Sequence, residues 1–148
     1  MKPVSAIFSS KQDTWETPQD FFDKLNEEFD FTLDPCCSEQ TAKCKKYFTP
    51  SEDGLRQSWA GETVYCNPPY GRAIAKWVRK AYEECQQGAT VVMLLPSRTD
   101  TKWFHHYIYG KAEILFVEGR LRFGGSTQNA PFPNMVVIFK PERLGKPS

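Results

Sequence analysis

The sequence predicts a doubly wound α/β sheet, and three observations predict it. Residues 89–95 form a near-continuous apolar run of strand length, the pattern of a central parallel strand covered on both faces. Just before it, residues 72–87 place Ile74, Trp77, Val78, Ala81, Tyr82 and Cys85 at i, i+3, i+4, i+7, i+8 and i+11, one face of a helix that Gly88 stops. Ahead of that helix, Thr63-Val64-Tyr65-Cys66 reads as a strand that breaks at Asn67-Pro68-Pro69-Tyr70. Strands and helices in alternation imply parallel strands joined by helical crossovers. Ligands in such sheets sit beyond the carboxyl ends of the strands, where Asp34, Asn67 and Pro96 fall.

The remaining elements follow in order. Residues 1–13 read as a flexible N-terminal arm, 14–141 as one domain and 142–148 as a C-terminal tail. Thr17-Pro18-Gln19-Asp20 has the form of an N-cap, an N1 proline and an acidic first turn, opening a helix with Phe21, Phe22, Leu25 and Phe29 on one face. Phe31-Thr32-Leu33 reads as a short strand ending at Asp34-Pro35, residues 38–46 as a short helix, and Asp53-Gly54-Leu55 as part of a loop. Beyond the central strand, residues 101–109 read as a helix and 113–117 and 134–140 as strands, the final one expected to run antiparallel. Gly119-Arg120-Leu121-Arg122-Phe123 reads as a hairpin partner to the first of these two. There is no internal repeat.

At 148 residues the chain has room for one core and not for an additional target-reading domain. A hydrophobic content of 40% and a charged content of 25% are ordinary for a globular protein, while 14% aromatic is on the rich side. No apolar run reaches membrane-spanning length and no signal-type segment follows Met1, so a cytoplasmic location is expected, with no membrane partner. The five cysteines are odd in number and lack paired C-x-x-C spacing, which fits reduced thiols. Cys36, Cys37 and Cys44 with His105 or His106 have the ligand types of a metal site without its spacing, and no metal is expected. A formal charge of +1 gives no broad nucleic-acid footprint, so Lys43 with Lys45 and Lys46, Lys76 with Arg79 and Lys80, and Arg120 with Arg122 read first as solvated faces.

Asn67-Pro68-Pro69-Tyr70 carries the most chemistry. An exocyclic amine on a nucleobase is a poor nucleophile because its lone pair is delocalised into the ring. Two acceptors, the Asn67 side-chain oxygen and the Pro68 carbonyl, suit the two amine protons and would draw the nitrogen towards tetrahedral geometry. Consecutive prolines stiffen the turn and contribute no N–H, and Tyr70 offers a face on which a flipped base can stack. An ordinary proline turn between strand and helix also fits these four residues.

Taken together, Asp13-x-Trp15-x-Thr17-Pro18, Leu33-Asp34-Pro35, Asp53-Gly54-Leu55, Asn67-Pro68-Pro69-Tyr70-Gly71, Leu95-Pro96-Ser97-Arg98-Thr99-Asp100-Thr101-x-Trp103-Phe104, Gly119-Arg120-Leu121-x-Phe123 and Ala130-Pro131-Phe132-Pro133 resemble the phage-type DNA N6-adenine methyltransferase family over nearly the whole chain. The resemblance implies an abbreviated Rossmann-like class I methyltransferase sheet in a bacterial or phage-infected cell. It also implies methylation of adenine N6 in double-stranded DNA by base flipping, with S-adenosylmethionine as donor; some members of the family modify GATC.

Carried over by motif position, Asn67, Pro68, Pro69 and Tyr70 would be catalytic, and Trp15, Thr17, Pro18, Asp34, Pro35, Asp53, Leu55 and Asn67 would bind the donor. Thr17-Pro18 would lie near its methionine part and Asp53 near its adenine amine. Arg98, Arg120, Arg122, Phe123, Gln128, Asn129 and Phe132 would handle DNA. Other readings stay open: Asp34 as a cap or turn aspartate, Asp53 as an Asp-Gly turn, the aromatics as core and the arginines as partners of surface acids. Enzymes of this fold usually carry a strand ending in an acid for the donor ribose between positions like Asp34 and Asp53. Residues 35–52 leave little room for it, with Glu39 the candidate acid. Asn-Pro-Pro-Tyr also resembles motifs of enzymes that methylate RNA bases or protein glutamines, and a binding module without turnover would keep the same fold.

Overall fold

The computed structural model describes residues 15–124 and 129–144. The arm expected over residues 1–13, most of the C-terminal tail, and Gln128 lie outside the described residues. Helix α1 is Gln19–Phe29, β1 Leu33–Asp34, β2 Lys46–Tyr47, β3 Thr63–Cys66, α2 Ile74–Gln86, β4 Thr90–Pro96, β5 Glu113–Phe116, β6 Asn134–Phe139 and α3 the short Pro141–Leu144. A 3-10 turn, Gly54–Arg56, precedes β3, and a π-helical segment, Phe104–Ile108, follows β4.

The six strands form one mixed sheet in the order β2-β1-β3-β4-β6-β5. β2, β1, β3 and β4 pair in parallel, Leu33 lying opposite both Lys46 and Val64, and Cys66 opposite Met93. β6 runs antiparallel between β4 and β5, with Pro96 opposite Asn134 and Phe116 opposite Met135. Its start therefore lies at the same end of the sheet as the carboxyl ends of β3 and β4.

β4 is the centre of the core because Val91, Val92, Met93, Leu94 and Leu95 are all fully buried, each worth about 1.5–3 kcal/mol in transfer from water. The helical periodicity of residues 72–87 turns Ile74, Trp77, Val78, Ala81 and Cys85 inward in α2. α1 brings Phe22 edge-on to Tyr65, ring centroids 5.1 Å apart, and ends at Asp30 in a left-handed conformation while Asn26 accepts from the Phe31 amide.

Four local expectations change. Residues 38–46 form no helix: Ser38 and Thr41 exchange the reciprocal bonds of a capping box, the Ser38 amide donating to Thr41 Oγ1 at 2.9 Å and the Thr41 amide to Ser38 Oγ at 3.2 Å, but no helix continues from it, because the Lys43 amide donates to Asp34 Oδ2 at 3.0 Å instead of to a carbonyl one turn back. Without that helix, β2 forms, so a strand does fit between Asp34 and Asp53, ending at Tyr47 rather than at an acid. Residues 119–123 are not a hairpin partner of β5, which takes β6 instead; the adjoining Gly124 amide reaches the Glu16 carbonyl at 2.8 Å. Finally, Thr17 does not cap α1. The cap position is Pro18, with no side-chain bond, because the Thr17 hydroxyl is engaged elsewhere.

Candidate active site

The carboxyl ends of β1 and β3 open onto a cavity of about 440 Å³. Its wall comes from three stretches distant in sequence: Trp15 to Thr17 before α1, the loop from Asp34 through Lys43, and Asn67 with Pro69 after β3. Tyr65, Pro50 and Gly124 complete it.

Asn67 is fixed from one side. Its Nδ2 donates to the Trp15 carbonyl and, at 3.0 Å, to Thr17 Oγ1, while the Thr17 hydroxyl also meets the Tyr65 hydroxyl at 2.6 Å. Burial pushes the Tyr65 phenol up, so it stays neutral and serves as an anchor. With both amide protons facing Trp15 and Thr17, Asn67 Oδ1 must point the other way, and it is buried without a partner among the described residues. The other two such side-chain atoms are Ser97 Oγ and Asn134 Oδ1. All three stand at the same end of β3, β4 and β6. A buried acceptor without a donor costs about 1–3 kcal/mol, so three at this end of the sheet concentrate an unmet polar cost there.

Tyr70 is 4% exposed. Its hydroxyl donates to the Leu94 carbonyl at 3.0 Å and accepts from Asn134 Nδ2 at 3.2 Å, and Asn134 Nδ2 also reaches the Leu95 carbonyl at 3.0 Å. The Tyr70 ring meets Phe132 at 5.4 Å and Phe123 at 6.4 Å, and Trp15 meets the same two rings at 5.2 and 5.4 Å. The four aromatics make one cluster beside the cavity. In this conformation Tyr70 has no open face, and Pro68 is likewise buried behind the wall that Asn67 and Pro69 form.

Asp34 lies at the end of β1 with its carboxylate buried, Oδ1 accepting from the Cys36 amide at 3.2 Å and Oδ2 from the Lys43 amide at 3.0 Å. Burial dominates these bonds and pushes it up to about 6 from 3.8. Cys36 and Cys44 are pushed up to about 12, first by burial and then by the Asp34 charge, which leaves them protonated and unreactive. All five cysteines are free thiols. Among the described residues no group of three histidines, cysteines or acids is placed to hold a metal.

Asp53, Leu55, Pro18 and Pro35 do not line the cavity. Asp53 sits at φ 59°, with Oδ1 accepting from the Leu55 amide at 3.1 Å, so the Asp-Gly turn reading describes its present bonds. The next residue must be glycine: a Cβ on Gly54 would stand 2.0 Å from the Pro35 carbonyl oxygen. Trp59, fully buried, donates its indole N–H to the Gly54 carbonyl at 3.0 Å, so this motif clamps the β1 end that carries Asp34. Arg98, Arg120, Arg122, Asn129 and Glu39 are exposed. Phe123 is buried and Phe132 half-buried within the aromatic cluster.

Among the cavity residues without a functional signal in the sequence are Tyr65, read as a strand position, Lys43, read as part of a solvated cluster, and Glu16, Thr41, Pro50 and Gly124, which carry no motif. Asn134 was likewise visible only as a strand start. A buried polar residue inside an apolar strand run was the one hint that it binds across the sheet.

Residues 4–146 match the family model described as DNA N-6-adenine-methyltransferase (Dam). The chain is 32% identical over 150 residues to a DNA N-6-adenine-methyltransferase of Haemophilus phage HP1 (strain HP1c1), covering 96% of this chain and 87% of that one. It is 31% identical over 112 residues to a DNA N-6-adenine-methyltransferase of Escherichia phage T1, covering 74% of this chain and 47% of that protein.

Proposed function

The chain belongs to the DNA N-6-adenine-methyltransferase (Dam) family, and from that premise we propose that it transfers a methyl group from S-adenosylmethionine to the N6 amine of adenine in double-stranded DNA. The observation that carries this reading is the orientation of Asn67: an amide locked by its nitrogen, presenting a buried, unpartnered oxygen beside a cavity. Asn67 Oδ1 and the Pro68 carbonyl accept the two amine protons and localise the lone pair on N6. The interaction strengthens as the nitrogen becomes tetrahedral, so it favours the transition state over the ground state. Neither group is a base, so the chain activates the amine without deprotonating it. As the N–CH3 bond forms, the S–CH3 bond breaks and the sulfonium leaves as a neutral thioether; the extra proton on the now strongly acidic nitrogen then passes to solvent water.

The donor supplies an electrophilic methyl group on a cationic sulfonium. The cavity suits such a molecule: it offers the Asp34 carboxylate, thiols and hydroxyls and no glycine-rich phosphate cradle, and the donor carries no phosphate. Trp15, Thr17 and Asp34 would hold it directly, and Asn67 would border it while serving mainly the amine in the transition state. Pro18, Pro35, Asp53 and Leu55 would act at its margin, with Asp53 able to exchange its turn bond for the donor's adenine amine. A base reaching Tyr70 must part that ring from Phe132 and Phe123, so opening of the aromatic cluster accompanies base entry. Arg98, Arg120, Arg122 and Asn129, all exposed, would take the phosphates and base edges. We place the sheet in the doubly wound, Rossmann-like class on its strand order, with β6 as the antiparallel insertion.

Transfer of tritiated methyl groups from the donor to duplex DNA, total RNA and a glutamine peptide tests the reading. Label in N6-methyladenine of DNA is expected; label in RNA or peptide alone would overturn it, as would no label anywhere.

A further inference from the structure

The cavity contains one positive charge that the chemistry above leaves unused. Lys43 leaves the loop between β1 and β2, and its side chain is only 7% exposed although it ends in an ammonium. Among the described residues Nζ donates to Gln19 Oε1 at 2.9 Å and forms a long ion pair with Glu16 Oε2 at 4.0 Å, which balances part of its charge but takes none of its protons. An ammonium has three protons to place, and covering so much of one is costly unless each finds an acceptor. The position is also built in: the Lys43 amide donates to Asp34 Oδ2 at 3.0 Å, so the residue that begins this side chain is held on the carboxylate at the end of β1. Lys43 is the one cationic side chain among the described residues lining the cavity.

S-adenosylmethionine brings a sulfonium, an ammonium and a carboxylate. Acids and carbonyls satisfy the first two. The carboxylate needs a cation or a cluster of N–H donors, and a spare-handed ammonium on the Thr17 side of the cavity meets that need. We infer that Lys43 binds the carboxylate of the donor's amino-acid end, completing the two protons that Gln19 leaves open. This rests on the donor assignment proposed above.

Calorimetry of the full chain with S-adenosylmethionine and with its decarboxylated analogue tests the inference without any substitution. The chain is expected to bind the intact donor 10- to 100-fold more tightly, the range for one charge-assisted contact. Lys43→Met should lower affinity for the intact donor by the same factor and leave the analogue's affinity within about twofold, and Lys43→Arg should restore part of the difference. Equal affinity of the unmodified chain for the two ligands would overturn the assignment even where Lys43→Met does not fold. So would equal weakening of both ligands by Lys43→Met, which is what a merely structural lysine produces. If the unmodified chain binds neither ligand, the donor assignment itself falls, and the role of Lys43 falls with it.

Discussion

Thr17 Oγ1 accepts from Asn67 Nδ2 at 3.0 Å, tying the segment that leads into α1 to the residue after β3 across 50 positions of sequence. That bond decides which end of the Asn67 amide is available. Asn67→Ala should leave donor affinity nearly intact and lower turnover on the order of 10²–10³-fold, as expected when a contact used mainly in the transition state is removed. Asn67→Asp tests the orientation separately: it would set a second oxygen against the Trp15 carbonyl, costing about 1–3 kcal/mol of stability. Donor calorimetry, single-turnover kinetics and thermal melts report these effects, and an Asn67→Asp protein as stable as the parent would refute the orientation.

Tyr70 has two separable parts. Tyr70→Phe keeps the ring and strands the Leu94 carbonyl, so it should lower stability by about 1–3 kcal/mol while preserving most of the rate per folded molecule. Tyr70→Ala removes a buried aromatic, at about 3–5 kcal/mol, and the rate as well. A full rate with Tyr70→Ala on duplex DNA would remove Tyr70 from the base site.

Gly54→Ala should be among the most damaging small changes in the chain. A methyl 2.0 Å from the Pro35 carbonyl forces backbone apart at the β1 end. The expected result is a melting temperature lowered by several degrees and weakened donor binding, the two moving together. Unchanged melting would show that the contact relaxes freely.

Asp34, held up to about 6, gives a pH signature. A folded value raised above 3.8 means that the folded chain keeps its proton more readily than the unfolded chain. This group's contribution to stability is therefore full at low pH and is lost as pH rises through 6. Binding of a cationic donor has the opposite sign, since only the charged carboxylate attracts it. Affinity should rise by up to about tenfold per pH unit below 6 and level off above 7. Titrations at pH 5, 6 and 7 check this, and a flat profile would take Asp34 out of the donor site.

Arg122 is exposed and immediately precedes Phe123 of the aromatic cluster in the chain. If it reads a base edge, Arg122→Ala should relax preference at one position of the recognition sequence by about 1–3 kcal/mol, whereas Lys45→Ala should weaken binding evenly across sequences. Methylation profiling on a randomised duplex library separates the two patterns.

β4, α2 and the Asn67 turn were legible because each is written in a local period or a local motif. The wall of the cavity was not. Trp15 to Thr17 meet Asn67 and Gly124 only through the fold, and no spacing in the chain announces that approach. Lys43 shares a charge run with Lys45 and Lys46, yet it turns inward while those two are exposed, a difference set by one backbone bond to Asp34. The stretch after Asp34 opens like a helix at Ser38 and Thr41, and what diverts it is the bond from the Lys43 amide to the Asp34 carboxylate, which no local pattern announces. Family resemblance pointed to Asp53, while its geometry shows a turn residue as well.

The antiparallel seating of β6 also sets the order in which the sheet can be finished. Among the described residues β5 pairs with no strand except β6, and β6 leaves the ribosome after β4 and β5. Until residues 134–139 have emerged, one flank of β4 is bare and β5 has nothing to pair with. Leu115 and Phe116, 48% and 64% exposed even in the finished fold, then stand on a strand with two open edges. A nascent chain paused short of β6 is thus at its most adhesive, and closure of the sheet is a late, long-range event that a helper binding apolar strands can hold back or protect.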